Sequence, residues 1–126
     1  MSSIIDPIKM YETGGSVCPV LHVRLVTTVN NNWKLADAVA NKRIRIMGWN
    51  IQSDGAVIGT FQLKSNSGGT TITTPLSAPA STTGLSDKLP IVNSGYGIET
   101  STGHGLYADV TTAGILFNIS FIVYTP

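Results

Sequence analysis

Short β-rich runs separated by turn residues fill this chain from Lys42 onward, and no other feature constrains the fold as strongly. Apolar and β-branched residues dominate segments 44–51, 56–63 and 114–124, and Ser53, Asp54 and Gly55 form a turn signal between the first two. We predict a hairpin over residues 42–64 and a long closing strand. Strands do not alternate with helical patterns, so the sequence indicates an antiparallel all-β fold rather than a parallel sheet.

Further strands are predicted around that hairpin. Residues 20–26 alternate, with Leu21, Val23 and Leu25 on one face, as a half-buried antiparallel strand requires. Residues 30–32 form a turn signal, and residues 33–40 fit either a short helix or a strand followed by a loop. Residues 75–84 are predicted to form a loop, and shorter strands are predicted at 70–74, 89–92, 97–100 and 106–110. About eight strands in two sheets predict an antiparallel jelly-roll sandwich.

The first 19 residues differ from the sandwich domain, which we predict at residues 20–126. Pro7, Pro19 and the pair Gly14 and Gly15 interrupt any regular element there. The segment is nevertheless too apolar for a free disordered tail, as shown by Ile4, Ile5, Ile8, Met10 and Tyr11. We predict an extended N-terminal arm over residues 1–19 that docks on a partner. An arm that folds back on its own domain, or a first edge strand, is the open alternative.

Charge and composition narrow the class of partner. The 126 residues suffice for one domain with its own core. Charged residues make up 12% of the chain and the net charge is +1, so no basic footprint for nucleic acid or an acidic membrane is present, and we exclude both as main partners. The start of the sequence lacks a signal-peptide pattern, and no apolar run approaches the roughly 20 residues of a membrane span. Sparse charge with surplus apolar strand residues favours a homo-oligomer.

No arrangement of side chains in the sequence indicates catalysis or a cofactor. His22 and His104 are the only histidines, and neither has a cysteine or carboxylate at a metal-ligand spacing. The carboxylates fall singly, and although a jelly roll could bring Glu99 and Asp109 together, their spacing gives no reason to expect it. Cys18 has apolar neighbours and is predicted to be a small buried residue rather than a reactive thiol. We predict no enzyme activity, no metal and no cofactor.

Three side chains outside the arm are candidates for an interface. Trp33 follows a polar turn signal, where a large aromatic residue is available to a partner. Arg43 and Arg45 share one strand face and could pair with carboxylates of a neighbouring subunit, although a solvated face explains them equally well. Trp49 is most simply a core residue. The predicted residues for binding a partner protein or a neighbouring subunit are Ile4, Ile5, Ile8, Met10, Tyr11, Trp33, Arg43 and Arg45.

Segments 42–49, 59–65, 75–76 and 97–106 together resemble a pattern of small virion proteins of tailed bacteriophages. In that pattern a basic strand opener precedes a Phe-Gln-Ser strand, and a Glu-Thr-x-x-Gly-x-x-Leu turn, here at 99–106, precedes a final apolar strand. The resemblance covers residues 42–125. The chain departs from the pattern at Gly97, where an aromatic residue is expected, and its first 19 residues have no counterpart in it.

For the capsid decoration, or cement, proteins of this group, the resemblance implies a jelly-roll homotrimer on the capsid surface. It implies synthesis in the host cytoplasm and an N-terminal arm that grips the major capsid protein. The alternative is a tip domain of a head or tail fibre that binds a host receptor or glycan through loop residues Asn93, Tyr96, His104 and Tyr107. A fibre tip usually ends a longer chain with a shaft, so a chain of 126 residues favours the cement protein.

Overall fold

The computed structural model describes residues 10–13, 16–78, 80 and 98–126, which form strands and no helix. The predicted all-β fold of antiparallel sheets is confirmed. In chain order the strands are β1 (Met10–Thr13), β2 (Ser16–Pro19), β3 (Leu21–Val26), β4 (Asn30–Ala36), β5 (Arg43–Ser53), β6 (Gly59–Ser65), β7 (Thr70–Thr71), β8 (Leu76–Ala78), β9 (Leu106–Val110) and β10 (Ile115–Tyr124).

Two sheets pack face to face around one core. A three-stranded sheet has the order β3-β10-β5, and a five-stranded sheet has the order β4-β9-β6-β7 with β8 also paired to β6. Residues 98–100 extend the smaller sheet beyond β5, because the Ile46 amide donates to the Ile98 carbonyl and the Thr100 amide to the Ile44 carbonyl, both at 2.9 Å. The chain therefore crosses from one sheet to the other at most of its connections.

The core consists of the inward faces of both sheets. Along β10, Ile115, Phe117 and Ile119 are fully buried, and the residues between them face outward. The rings of Phe61 and Phe117 meet edge to face across the core, with centroids 5.2 Å apart. This alternation is what a sheet with one covered face requires, and the apolar area removed from water supplies most of the stabilisation.

The predicted hairpin over residues 42–64 is wrong. β5 pairs with β10 in the smaller sheet, whereas β6 pairs with β7, β8 and β9 in the larger one. Residues 54–58 do not form a tight turn but carry the chain between the sheets. Both strands have an apolar face, and placing them in opposite sheets lets Ile51 and Phe61 bury those faces in the same core.

Several element boundaries also differ from the predictions. Residues 33–40 form the second half of β4 and the loop that follows it. The predicted turn at 30–32 lies within β4, where the asparagines form a bulge opposite β9. The strand predicted at 70–74 shortens to Thr70–Thr71, and β8 lies in the predicted loop 75–84. The strand predicted at 89–92 lies outside the described residues, as does Gly97.

The second half of the predicted arm pairs within its own chain. β1 and β2 form an antiparallel hairpin in which Met10 is opposite Pro19. Cys18 is buried, as predicted, and packs with Ile122 and Tyr124 on the outer face of the smaller sheet. Residues 16–19 therefore lie on their own domain rather than in an extended arm. Ile4, Ile5 and Ile8 fall outside the described residues, and of Met10 and Tyr11 the structure places only the backbone, in β1.

Candidate interaction surfaces and polar clusters

Four exposed aliphatic residues gather at one end of the sandwich. Val26 and Val29 flank the connection from β3 to β4, and Val57 and Ile58 lie in the connection from β5 to β6, with exposed fractions between 48% and 59%. We call these four residues the loop-end patch. These four residues are candidates for a surface that binds a partner.

Backbone hydrogen bonds hold these two connections on either side of the start of β10. The Thr27 amide donates to the Ile115 carbonyl at 2.9 Å, and the Asp54 amide donates to the Gly114 carbonyl at 2.8 Å. Gly114 is required here, because a Cβ atom at this position would lie 2.5 Å from the Thr27 carbonyl oxygen. The first residue of each connection is therefore fixed against the start of β10.

An apolar groove of about 360 Å³ opens at the opposite end, between the edges of the two sheets. Its apolar walls come from the start of β3, the end of β4, the following loop and the end of β10, and are formed by Leu21, Val23, Leu35, Val39, Phe121 and Val123. We call it the edge groove. Leu21 and Val39 are 41% and 39% exposed at its rim. Within the described part of the chain β3 pairs only with β10, so its other edge faces this opening.

The two candidate arginines bind a carboxylate of their own chain. Glu99 accepts a hydrogen bond from Arg43 Nη1 through Oε1 and from Arg45 Nε through Oε2, both at 3.2 Å. Arg45 also donates to the Tyr124 hydroxyl at 2.9 Å, and its guanidinium lies 4.4 Å from the centre of the Tyr124 ring. The Tyr124 hydroxyl in turn donates to Glu99. The cluster joins residues 98–100 to β5 and β10 instead of presenting both arginines to a neighbour.

Burial and charge shift the ionisation of this cluster. Burial and the hydrogen bond to Glu99 raise the pKa of the Tyr124 phenol above its ordinary value. Burial alone would lower the pKa of Arg45, but Tyr124 and Glu99 outweigh it and raise that pKa. Tyr124 is therefore a neutral donor and Arg45 a cation throughout the physiological range. Arg43 is the more accessible arginine, with 38% of its side chain exposed against 11% for Arg45.

A second polar cluster, which was not predicted from the sequence, lies on the outer face of the larger sheet. The Lys64 side chain in β6 is only 7% exposed, and its Nζ lies 2.8 Å from Asp109 Oδ1 in β9. Lys64 also donates to Asn32 Oδ1 in β4. Burial alone would raise the pKa of Asp109, but the hydrogen bonds from Lys64 and from the Asn32 amide lower it, so the carboxylate is ionised.

His104 is half-buried rather than exposed at a loop tip. Its Nδ1 lies 2.8 Å from Ser65 Oγ, and that oxygen also accepts the Ser101 amide at 2.9 Å. Ser65 is 2% exposed, so its hydroxyl cannot reach a substrate in solution. The arrangement fixes the loop that precedes β9 against the end of β6.

Both tryptophans contribute to packing. Trp33 is half-buried against the core, and its indole Nε1 donates to the Thr28 carbonyl at 3.0 Å. Trp49 packs edge to face on Phe61 with ring centroids 5.9 Å apart, as its core assignment predicts. Glu99 and Asp109 belong to different polar clusters and do not form a carboxylate pair. The loop-end patch and the edge groove were not predicted, because each combines residues from distant segments.

Among residues 10–13, 16–78, 80 and 98–126, histidine, cysteine and carboxylate side chains form no group of three that could hold a metal ion. No helix in that part of the chain is long and apolar enough to cross a membrane. No protein-family model, no curated protein and no solved structure matches the chain.

Proposed function

We propose that this protein is a structural virion protein, a capsid decoration or cement protein that binds the major capsid protein lattice as a homotrimer. The observation that carries the proposal is the presence of two separate apolar surfaces, the loop-end patch and the edge groove, at opposite ends of a sparsely charged sandwich. A protein that clamps a lattice needs two kinds of contact, one with its own copies and one with the lattice.

The strand order supports the jelly-roll assignment that the resemblance implies. With residues 98–100 included, the smaller sheet reads β3, β10, β5 and 98–100, and the larger reads β4, β9, β6 and β8. We number these eight segments 1 to 8 along the chain. The smaller sheet then has the order 1-8-3-6, and the larger sheet has the order 2-7-4-5. The count leaves out the two-residue strand β7 of the larger sheet. The interleaving of the other segments supports the proposed jelly-roll arrangement.

We assign the edge groove to the capsid and the loop-end patch to the trimer. Met10 lies opposite Pro19, two residues before Leu21 at the rim of the groove, so β1 begins near the groove end. The isoleucines at 4, 5 and 8 precede β1 in the sequence, and we assign them to the same partner as the groove, the major capsid protein. Many weak contacts summed over a lattice hold strongly, because each bound copy raises the effective concentration of the next contact.

The trimer assignment is tested by changing the loop-end patch. Wild-type protein is expected to sediment as a trimer at micromolar concentration, and the double variant Val57→Ser/Ile58→Ser as a monomer. Burying one aliphatic side chain contributes about 1.5–3 kcal/mol, so two losses per subunit exceed what a micromolar trimer tolerates. The matched control, Leu21→Ser/Val39→Ser, removes comparable exposed aliphatic area at the other end and is expected to remain trimeric. A wild-type protein that is monomeric throughout the micromolar range contradicts the assignment.

The cement assignment is tested on phage heads. Heads without the protein are expected to burst at lower temperature than complete heads, while adsorption to cells stays normal. Leu21→Ser/Val39→Ser trimers added to such heads should show at least tenfold weaker occupancy and restore less heat resistance than wild-type trimers. Heads that are equally heat-resistant without the protein but no longer bind cells would show that the fibre-tip function is correct instead.

The fibre-tip alternative has less structural support. Asn93 and Tyr96 lie outside the described residues, His104 is bound to Ser65, and Tyr107 is half-buried in β9. Among the side chains that the structure describes, Trp33, Trp49 and Tyr107 are half-buried and the other aromatic rings are buried, whereas sugar-binding surfaces commonly present an exposed aromatic ring.

A further inference from the structure

Lys64 has a side-chain amine that is buried on the outer face of a sheet, a face that is normally in contact with water. Its neighbours Leu63 and Phe61 alternate into the core, so Lys64 extends from the outer face of the larger sheet. There its side chain is nevertheless 93% covered, being 7% exposed. Such burial of a lysine is uncommon, because a buried ammonium needs polar partners to compensate for the loss of water. The ammonium contacts two side chains, Asp109 in β9 and Asn32 in β4.

The Asn32 side-chain amide is held as an electrophile. Its Oδ1 accepts the Gly68 amide at 2.7 Å and also the Lys64 ammonium, so two donors polarise the same carbonyl. Asn32 has a φ of 63° in the bulge opposite Asp109, and its own amide donates to Asp109 Oδ1 at 3.0 Å. This backbone geometry fixes the amide group beside the lysine. The Gly68 N–H occupies the position of an oxyanion-stabilising donor.

Asp109 completes the set by providing a proton acceptor. Its carboxylate contacts both the Lys64 ammonium and the Asn32 backbone. A lysine must lose one proton before it can attack a carbonyl carbon, and a carboxylate at hydrogen-bond distance can take that proton and later return one to the leaving group. The three strands β4, β9 and β6 are neighbours in one sheet, so the sheet itself brings the three groups together.

We propose that Lys64 and Asn32 form an intramolecular isopeptide bond. Asp109 accepts a proton from the Lys64 ammonium, and the free Nζ attacks Asn32 Cγ to give a tetrahedral intermediate whose oxyanion the Gly68 N–H stabilises. The protonated Asp109 passes its proton to the Nδ2 of Asn32, and the C–N bond to Nδ2 breaks. A second proton from Nζ leaves with the departing ammonia as ammonium. One amide replaces another, and no oxidant, cofactor or second substrate takes part.

The bond would fasten the edge strand β4 to β6 across β9. β4 is an edge strand of the described sheet, and its pairing with β9 is interrupted by register shifts around Asn30 and Trp33. A covalent link at this point prevents the edge from peeling away under load and constrains the unfolded chain as a cross-link does. The inference is independent of the proposed function, because it concerns three side chains of one chain in any assembly.

Intact-mass spectrometry of the purified full chain tests the proposal. The expected mass of most molecules is about 17 Da below the sequence mass, corresponding to one lost ammonia. Tryptic mapping should yield a branched peptide that joins residues 25–34 to residues 46–88, with no cleavage after Lys64. A chain at its full sequence mass, or a mass loss without that branched peptide, overturns the proposal. A loss of about 18 Da with Lys64 joined to Asp109 also overturns it, because the electrophile would then be the carboxylate.

Three variants assign the roles. Asn32→Gly removes the electrophile while accepting the positive φ at this position, and it should restore the full mass in a folded protein. Asp109→Asn should slow the reaction at least a hundredfold, measured as the growth of the branched peptide after refolding. Lys34→Arg is the matched control: Lys34 makes a similar ammonium–carboxylate contact with Asp37 at 2.7 Å but is exposed, and this variant should retain the mass loss. Circular dichroism verifies that each variant is folded, and an unreduced rate in folded Asp109→Asn overturns the role of Asp109.

Discussion

Replacing Phe117 with alanine is expected to lower the free energy of unfolding by about 3–5 kcal/mol, which is the usual cost of removing a large buried ring. Phe117 is fully buried in the first half of β10, and its ring meets that of Phe61 edge to face with centroids 5.2 Å apart. Both sheets contribute to the packing around it, so the cavity cannot close without moving one sheet toward the other. Urea denaturation followed by circular dichroism measures the change as a lower midpoint at similar slope.

A conservative and a surface variant serve as controls for Phe117. Phe117→Leu keeps most of the apolar volume and should cost about 1–2 kcal/mol. Asn118→Ala changes the next residue, which faces outward from β10, and should change stability by less than about 1 kcal/mol. Equal destabilisation by Phe117→Ala and Asn118→Ala would contradict the placement of the core.

Replacing Glu99 with alanine is expected to cost about 3 kcal/mol, because it leaves the Arg45 guanidinium largely buried without its carboxylate. Residues 98–100 would also lose the side-chain contacts that hold them along β5. The Tyr124 ring remains over the guanidinium and limits the loss. Thermal unfolding of the purified variant should show a midpoint several degrees lower than that of the wild type.

Variants of the two arginines distinguish how much of this loss of stability comes from the buried ion pair and how much from the exposed one. Arg43→Ala removes the more accessible ion pair and should cost less than about 1 kcal/mol. In the Glu99→Ala background, Arg45→Met removes the unpaired charge while keeping an apolar stem, and it should recover part of the lost stability. If Arg43→Ala is as costly as Glu99→Ala, the stabilisation comes from Arg43 and this account of the cluster is wrong.

The parts of the fold that local pattern determines were predictable from the sequence. The alternation in residues 21–25 reflects the period of a half-buried strand, and Val23 and Leu25 do pack against the core. The hairpin over 42–64 failed because apolar runs joined by a short turn signal are compatible with two arrangements. The two runs can pair with each other, or the second run can cross to the opposite sheet, and both arrangements bury similar apolar faces. Only the pairing of all the strands decides between them.

The polar clusters were beyond sequence reasoning for a different reason. Lys64 is 32 residues from Asn32 and 45 from Asp109 along the chain, and the bulge that orients Asn32 was interpreted as a turn. Arg43 and Arg45 were correctly placed on one face, but their partner Glu99 lies more than 50 residues away. Spacing carries no signal across such distances, because the sheet register alone brings the groups together.

The central position of β10 has a consequence for synthesis. This strand emerges last among the described strands, yet it lies between β3 and β5 and supplies the most deeply buried side chains of the smaller sheet. Until β10 leaves the ribosome, β3 has no hydrogen-bonded partner in that sheet, and β5 lacks the strand that pairs with it. The smaller sheet therefore cannot be completed before β10 has been synthesised, and until then its apolar strands are exposed to association with other nascent copies.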